Sequence, residues 1–138
     1  MAQSTISVHV LRLKPGQDLK GEIESFVKNK KIEAASILSA VGSLTQVKLR
    51  FANKNDATSL SGHFEVVALS GTTSRRGSHI HLAVADSVGK TTGGHLLEGS
   101  TVYTTMEIVL GVYPQVIFDR TLDPASGYKE LDVKPVPN

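Results

Sequence analysis

The sequence has no cysteine and no tryptophan, and its aromatic residues are only three tyrosines and four phenylalanines. Without cysteine there is no disulfide scaffold, no thiolate-bound metal and no cysteine nucleophile. With so few aromatic residues, a stacking platform for single-stranded nucleic acid is hard to build. Any metal in this chain therefore has to find nitrogen or oxygen ligands.

Long hydrophobic runs are also missing. The segment Met1 to Thr5 has no basic residue, and the apolar stretch after it is interrupted by His9, Arg12 and Lys14. A secretory signal begins with basic residues, and a membrane-spanning helix needs about 20 apolar residues. We therefore expect no membrane association and an intracellular protein, cytoplasmic by default and nuclear as the alternative.

Several motifs that would define an enzyme or a DNA reader are absent. The sequence contains no P-loop, no Gly-x-Ser-x-Gly elbow of a serine hydrolase and no Arg-Gly-Arg hook for the DNA minor groove. It thus carries no standard catalytic signature, and it favours a non-enzymatic role.

Length and composition indicate one globular domain. The chain has 138 residues, of which 40% are hydrophobic and 20% charged. This length is typical of one domain and allows a self-sufficient core. We assign residues 1–138 to a single domain with a core over about 5–120. The proline-containing segment 121–138 is expected to be an extended C-terminal tail, which could lie across a neighbouring subunit.

The apolar pattern predicts one helix and six or seven strands. Asp18 can cap a helix whose apolar residues Leu19, Ile23 and Val27 share one face. Most other segments alternate apolar and polar residues, as half-buried strands do. The predicted fold is α+β with a mostly antiparallel sheet and few helices. Because so few helices can cover the sheet, we expect another subunit to cover part of it.

Three of the five histidines form the most informative pattern. His79 and His81 are two positions apart on a predicted strand, so their side chains share a face, with Cα atoms ~6.6 Å apart at ~3.3 Å per residue. His95 follows Gly93-Gly94, which permit a close backbone approach if a hairpin brings the two segments together. Three imidazoles suit a first-row divalent metal, zinc first.

An alternative is open for this pattern, because a His-x-His pair can also be the exposed polar face of a sheet. On the residues alone the two interpretations are balanced. His9 and His63 have no partner at ligand spacing and are interpreted as ordinary histidines.

Three acidic residues are candidates to orient an imidazole or to act as a general base. They are Asp86, Glu98 and Glu107. Asp86 and Glu98 lie at predicted strand ends, where solvated charges are common. Glu107 lies in an apolar stretch, so we expect it to meet a cation or the histidines rather than simply to point outward.

Basic residues are unevenly distributed. Residues 1–54 contain nine Lys and Arg against four Asp and Glu, whereas residues 55–138 contain six against nine. Arg75 and Arg76 lie in a polar loop that leads into the histidine strand, and they are candidates to contact an anion. A solvated loop is the alternative.

The sequence resembles the PPC domain (plants and prokaryotes conserved) from about Ser7 to about Phe118. Four segments carry the resemblance in order: Gly62 to Thr72, Ser78 to Leu82, Gly93 to Leu96 and Thr105 to Ile108. The resemblance implies an α+β fold with a mostly antiparallel sheet and assembly as a homotrimer. It also implies metal ligation, usually of zinc, by His79, His81 and His95, as in the non-plant branch of the family. Glu65 and Glu107 match recurrent acidic positions.

Plant relatives carry AT-hooks and lack the three histidines, whereas this sequence has the histidines and no hook. Three functions follow as hypotheses. The first is a homotrimeric metal-binding module with an interaction or regulatory role. The second is DNA binding through a basic surface. The third is a metal-dependent hydrolase or lyase with an unknown small-molecule substrate.

Overall fold

The computed structural model describes residues 2–137 and contains one helix and eight strands in that range. In chain order they are β1 (Ser7–Leu13), α1 (Leu19–Asn29), β2 (Ala35–Arg50), β3 (Ala57–Ser74), β4 (Gly77–Ala85), β5 (Thr91–Leu96), β6 (Thr101–Val112), β7 (Val116–Leu122) and β8 (Lys129–Pro135). Within the described residues, the helical structure does not have the length and apolar character needed to cross a membrane.

Six strands form one antiparallel sheet in the order β1-β6-β2-β3-β4-β5. The end of β2 also pairs with β5, where Leu49 is opposite Leu96 and Arg50 is opposite His95. The strands β2, β3, β4 and β5 therefore close on themselves as a small barrel. The expected α+β fold with a mostly antiparallel sheet is confirmed.

Helix α1 begins where the sequence predicts it. The Asp18 carboxylate accepts a hydrogen bond from the Gly21 N–H at 2.8 Å, which caps the helix. Its second oxygen accepts from the N–H groups of Gly99 and Ser100 at 2.7 and 3.0 Å. One side chain thus fixes both the start of α1 and the loop that follows β5.

The core lies inside the barrel and beneath α1. Its largest completely buried side chains include Leu19 and Ile23 of the helix and Ile80 and Leu82 of β4. Burying each such side chain stabilises the fold by about 1.5–3 kcal/mol. Because side chains alternate along a strand, the burial of Ile80 and Leu82 turns their neighbours on β4 to the opposite face.

Gly71 allows β3 and β4 to approach closely at the centre of the sheet. Its φ angle is +153°, and a Cβ atom there would lie 2.1 Å from the carbonyl oxygen of His79. No other residue type fits this position without moving the backbone. Strand β3 therefore continues through Gly71 to Ser74.

The described part of the expected tail, residues 121–137, is not a free extended segment. Strand β8 pairs with β7 over its whole length, from Val116 opposite Pro135 to Leu122 opposite Lys129. The prolines that suggested a tail stand at the ends of the hairpin, because proline is tolerated where a strand begins or ends.

One face of the sheet carries exposed branched side chains. We call it the valine face, and its members are Ile6, Val8, Val10, Leu38, Val41 and Val67. Val10 is 74% exposed and lies opposite Val109 on β6. An apolar surface of this kind marks an interaction site more often than a solvated surface.

Candidate metal centre

Two of the three candidate ligands come from β4. His79 and His81 lie on the face of β4 that points away from the core, as their two-residue spacing predicts. Strand β5 follows β4 in a hairpin whose register places His95 directly opposite His81. The hairpin on which the predicted metal site depends is therefore present. It brings the imidazole of His95 close to those of His79 and His81.

The second glycine of that pair explains how β5 can close the barrel. A Cβ atom at Gly94 would lie 2.8 Å from the carbonyl oxygen of Arg50 on β2. Only a residue without a side chain lets β5 approach β2 this closely. Gly94 thus fixes the position of the adjacent His95.

The three imidazoles converge. One nitrogen from each of His79, His81 and His95 lies within 4.8 Å of the other two. The Nε2 atoms of His79 and His81 are 3.0 Å apart. Tetrahedral ligands at ~2.0–2.1 Å from zinc are separated by about 3.3 Å, so small side-chain rotations bring all three nitrogens to one ion.

A buried nitrogen without a partner supports this fit. Within the described residues, the Nδ1 atom of His95 is buried and has no hydrogen-bond partner. Leaving such a group unpaired costs about 1–3 kcal/mol. A cation coordinated by the histidine cluster would give the ring nitrogens of the three histidines a partner. The residues present therefore fit a divalent metal.

The local electrostatics keep two of these histidines neutral. Burial, together with the positive charge of Arg50, lowers the pKa of His95 to about 4. Burial also lowers the pKa of His79, with contributions from His81 and Arg120. Because a ligating imidazole must be unprotonated, both are ready to bind a metal at neutral pH.

The three candidate carboxylates do not join the histidines. Asp86 accepts hydrogen bonds from the N–H groups of Val88 and Lys90 at 3.0 and 2.9 Å, and so it organises the β4–β5 turn. Glu98 is exposed in the loop after β5. Within residues 2–137, no carboxylate completes a ligand cluster with the three imidazoles.

Within residues 2–137, Glu107 does not contact the histidines or form the expected ion pair with a cation. It is exposed on β6, opposite Arg12 of β1 and Val41 of β2, and forms no ion pair within 4.0 Å among the described residues. The strands β2 and β3 separate it from β4 in the sheet. Strand alternation alone explains its position, as it also does for the exposed Glu65 on β3.

Arg75 and Arg76 already contact an anion within the chain. They form the β3–β4 turn, and both pair with the carboxylate of Glu33, Arg75 through its Nε atom at 2.6 Å and Arg76 through Nη1. Their predicted anion partner is therefore a residue of the same chain.

The remaining two histidines lie apart from the cluster. His9 packs edge-on against Phe26 with ring centroids 5.5 Å apart, and His63 lies against Tyr103 at 4.6 Å. Neither belongs to the group of converging nitrogens.

A cleft of about 600 Å³ opens beside His79 and His95. Sequence reasoning missed two of the three arginines that line it, Arg50 and Arg120. Arg50 is brought there by the pairing of β2 with β5, and Arg120 of β7 donates a hydrogen bond to Thr72 Oγ1 at 2.8 Å. The only sequence signal is their charge, because contacts between strands so distant in the chain leave no periodic pattern.

A model of the Plants and Prokaryotes Conserved (PCC) domain matches residues 2–114, a range that includes all three histidines. The chain belongs to the PCC domain family. The resemblance to the PPC domain, which is the same family under another abbreviation, is thereby confirmed.

Two curated relatives contain this domain as part of a longer chain. A bifunctional protein GlmU from Synechococcus is 47% identical over 136 residues, which is 99% of this chain and 22% of that protein. The AT-hook motif nuclear-localized protein 13 from Arabidopsis thaliana is 31% identical over 120 residues, which is 76% of this chain and 26% of that protein. The chain thus spans about a quarter or less of the length of these relatives.

Two solved structures share the whole fold. A hypothetical protein from Salmonella enterica is 43% identical with a TM-score of 0.95, and the match covers 97% of both chains. A protein from Archaeoglobus fulgidus, described as metal-containing, is 27% identical with a TM-score of 0.78 over 95% of this chain and 99% of that chain.

The PCC match and the cleft do not coincide completely. The matched range ends at residue 114, whereas Arg120 and the β7–β8 hairpin follow it. The histidines of the cluster thus lie inside the family model, and one wall of the adjacent cleft lies outside it.

Proposed function

We propose that this PCC domain binds one divalent metal ion per chain, zinc first, through His79, His81 and His95. The observation that carries the proposal is the convergence of three imidazole nitrogens within 4.8 Å. The metal-containing relative from Archaeoglobus fulgidus supports it. Three histidine ligands leave at least one coordination position open, where zinc would supply a Lewis acid.

The chain's own residues prepare this site. The β4–β5 register sets His81 opposite His95, and Gly94 seats β5 against β2. Burial keeps His95 unprotonated. The protein thus holds the three imidazoles close together, with His95 unprotonated, before any ion arrives.

The role that this arrangement supports best is a binding module with an interaction or regulatory function. A hydrolase or lyase also needs a general base, and within residues 2–137 no carboxylate joins the cluster of three imidazole nitrogens, although Glu130 lines the adjacent cleft. Catalysis is therefore the less supported of the two roles.

Elemental analysis of protein purified without added metal tests the metal site. We expect about one divalent ion per chain in the wild type and none in His81→Ala. His63→Ala is the matched control, because it removes a histidine outside the cluster, and it should keep full metal content. Full occupancy in a variant with alanine at positions 79, 81 and 95 would refute the proposal.

We also propose that the domain assembles as a homotrimer through the valine face. This surface has six exposed branched side chains, and burying it removes apolar area from water. Light scattering should give three times the chain mass for the wild type and a smaller mass for Val10→Asp. Lys30→Asp, on the exposed end of α1, is the control. A monomeric wild type would refute this assembly.

DNA binding is a second candidate, favoured by the basic excess in residues 1–54 and by the plant relative with an AT-hook. If the basic surface binds DNA, affinity for a duplex should fall steeply as salt rises from 50 to 200 mM. Substituting the exposed residues Lys28, Lys30 and Lys31 together should weaken it. Absence of binding at 50 mM salt would exclude this function for the chain.

A further inference from the structure

The cleft beside the histidines has three walls from distant parts of the chain. One wall is Arg50 and the loop after β2, the second is the start of β4, and the third is the β7–β8 hairpin with Arg120 and Tyr128. Its volume of about 600 Å³ is within the usual range of small-molecule sites, roughly 300–1,000 Å³. His79 and His95 form its base.

The charge of this cleft is strongly unbalanced. The ionisable side chains that line it, apart from the histidines, are Arg50, Lys54, Arg76, Arg120, Lys129 and a single carboxylate, Glu130. Arg76 is paired with Glu33, which lies outside the lining. Among residues 2–137, neither Arg50 nor Arg120 forms an ion pair. Two guanidinium groups without an ion-pair partner among the described residues thus lie beside the histidines, in a cleft with one carboxylate.

Both arginine residues are half-buried. The hydrogen bond to Thr72 Oγ1 holds Arg120, and Thr72 is opposite His79 in the sheet. Arg50 is opposite His95. Both arginines line the same cleft as His79 and His95.

A divalent cation at the histidines would add two more positive charges to this region. Cations placed together repel one another, and the arrangement is stabilised when an anion binds among them. Arginine is suited to this task because its planar guanidinium binds carboxylate or phosphate through two parallel hydrogen bonds.

We propose that the cleft binds a small organic oxyanion, a molecule bearing carboxylate or phosphate groups, through Arg50 and Arg120. One anionic group is held by the two arginines, and a second oxygen reaches the open coordination position of the metal. The proposal rests on the proposed metal site for this second contact, whereas the arginine contact is independent of it. The aromatic ring of Tyr128, which lines the cleft, packs against the carbon skeleton of the ligand.

Isothermal titration calorimetry with two probes tests the site and separates its two candidate anions. Inorganic phosphate and malate are titrated separately into zinc-loaded and metal-free protein. Saturable binding of at least one probe is expected, and it should be tighter in the zinc-loaded form. A preference for phosphate or for malate identifies the anionic group that the arginines recognise.

Variants locate the contact. Arg120→Gln and Arg50→Gln should each weaken binding about tenfold or more, because each removes a charge-assisted hydrogen-bonding group. Arg75→Gln is the matched control, since it removes the same charge near the cleft without lining it. An equal loss in Arg75→Gln would overturn the proposal, because it would indicate only a general attraction of anions. Circular dichroism of each variant checks that the fold is intact.

The outcomes distinguish this proposal from that of the metal site. If zinc fails to bind but Arg120→Gln still weakens binding of the probe to metal-free protein, the metal proposal fails and the arginine site stands. If zinc binds but neither probe does at 10 mM, the oxyanion site is refuted. Binding of a DNA duplex that is lost in Arg50→Gln and Arg120→Gln, with no binding of either probe, would also refute it.

Discussion

The two faces of β4 carry different kinds of side chain. On one face, Ile80 and Leu82 are 1% and 2% exposed and belong to the core. On the other face, which we call the histidine face, His79 and His81 are exposed and lie close to His95 of β5. A single strand therefore contributes stability through one set of side chains and ligand chemistry through the alternate set. Substitutions on the two faces should be separable in experiment.

A change in the backbone should break both faces at once and have the largest effect. Gly71→Ala places a Cβ atom against the carbonyl of His79, so we expect a loss of about 3 kcal/mol or more in the free energy of unfolding, together with loss of zinc binding. Urea denaturation and metal analysis measure the two losses. Gly89→Ala, at a positive φ of +80° but with open space around it, is the control and should lose only about 1 kcal/mol. Equal losses would show that close approach is unimportant.

A change on the core face should reduce stability without removing the ligands. Leu82→Ala leaves a cavity in the core, so we expect its free energy of unfolding to fall by about 2–5 kcal/mol. At a temperature where the variant is folded, it should still bind one zinc ion per chain. Denaturation curves and metal analysis give the two values. His81→Ala should do the opposite. In the metal-free state its free energy of unfolding should change by no more than about 0.5 kcal/mol, while its zinc binding should be lost.

Metal loading should act only through the histidine face. Zinc at about 100 times its Kd stabilises the folded state by about 2.7 kcal/mol. For a domain of this size that corresponds to a rise in Tm of roughly 8 °C. Differential scanning fluorimetry with and without zinc measures it. The rise should vanish in His81→Ala and persist in Leu82→Ala. A rise of the same size in both variants would contradict the assignment of the two faces.

The metal-free protein should also lose stability as the pH falls. The pKa of His95 is about 4 in the folded state, below the ordinary value of ~6.5 that it regains on unfolding. Between these values the unfolded chain binds more protons, so the free energy of unfolding should fall as pH decreases from about 6.5 to about 4. Urea midpoints at intervals across this range measure the slope. His95→Gln should reduce the slope, and an unchanged slope would exclude His95 as its source.

Local patterns predicted the histidine face well. The two-residue spacing of His79 and His81 fixes their common side, because a strand has a period of two. Gly93-Gly94 indicated the close approach of the strand that carries His95, although the chain reverses earlier, at Asp86 to Lys90. Asp18 indicated the start of the helix. Each of these features depends on residues close together in the sequence.

Features that depend on distant pairing were not predictable in the same way. The closure of β2 on β5, which carries Arg50 to His95, joins segments with two intervening strands. The approach of Arg120 from β7 and the pairing of β8 are of the same kind. Glu107 was misjudged because apolar neighbours in sequence do not reveal which face of a strand is solvated. Burial of both faces has to be known before such a residue can be placed.

The closure of β2 on β5 also determines where the main sheet keeps a free edge. Near Leu96, β5 has hydrogen-bonded neighbours on both sides, whereas β1 ends the six-stranded order with only β6 beside it. An unpaired edge can accept an additional strand from another molecule, and a paired one cannot. Strand addition to this sheet, including the kind that seeds aggregation, is therefore directed to Ser7–Leu13 and away from the end of β5 that carries His95.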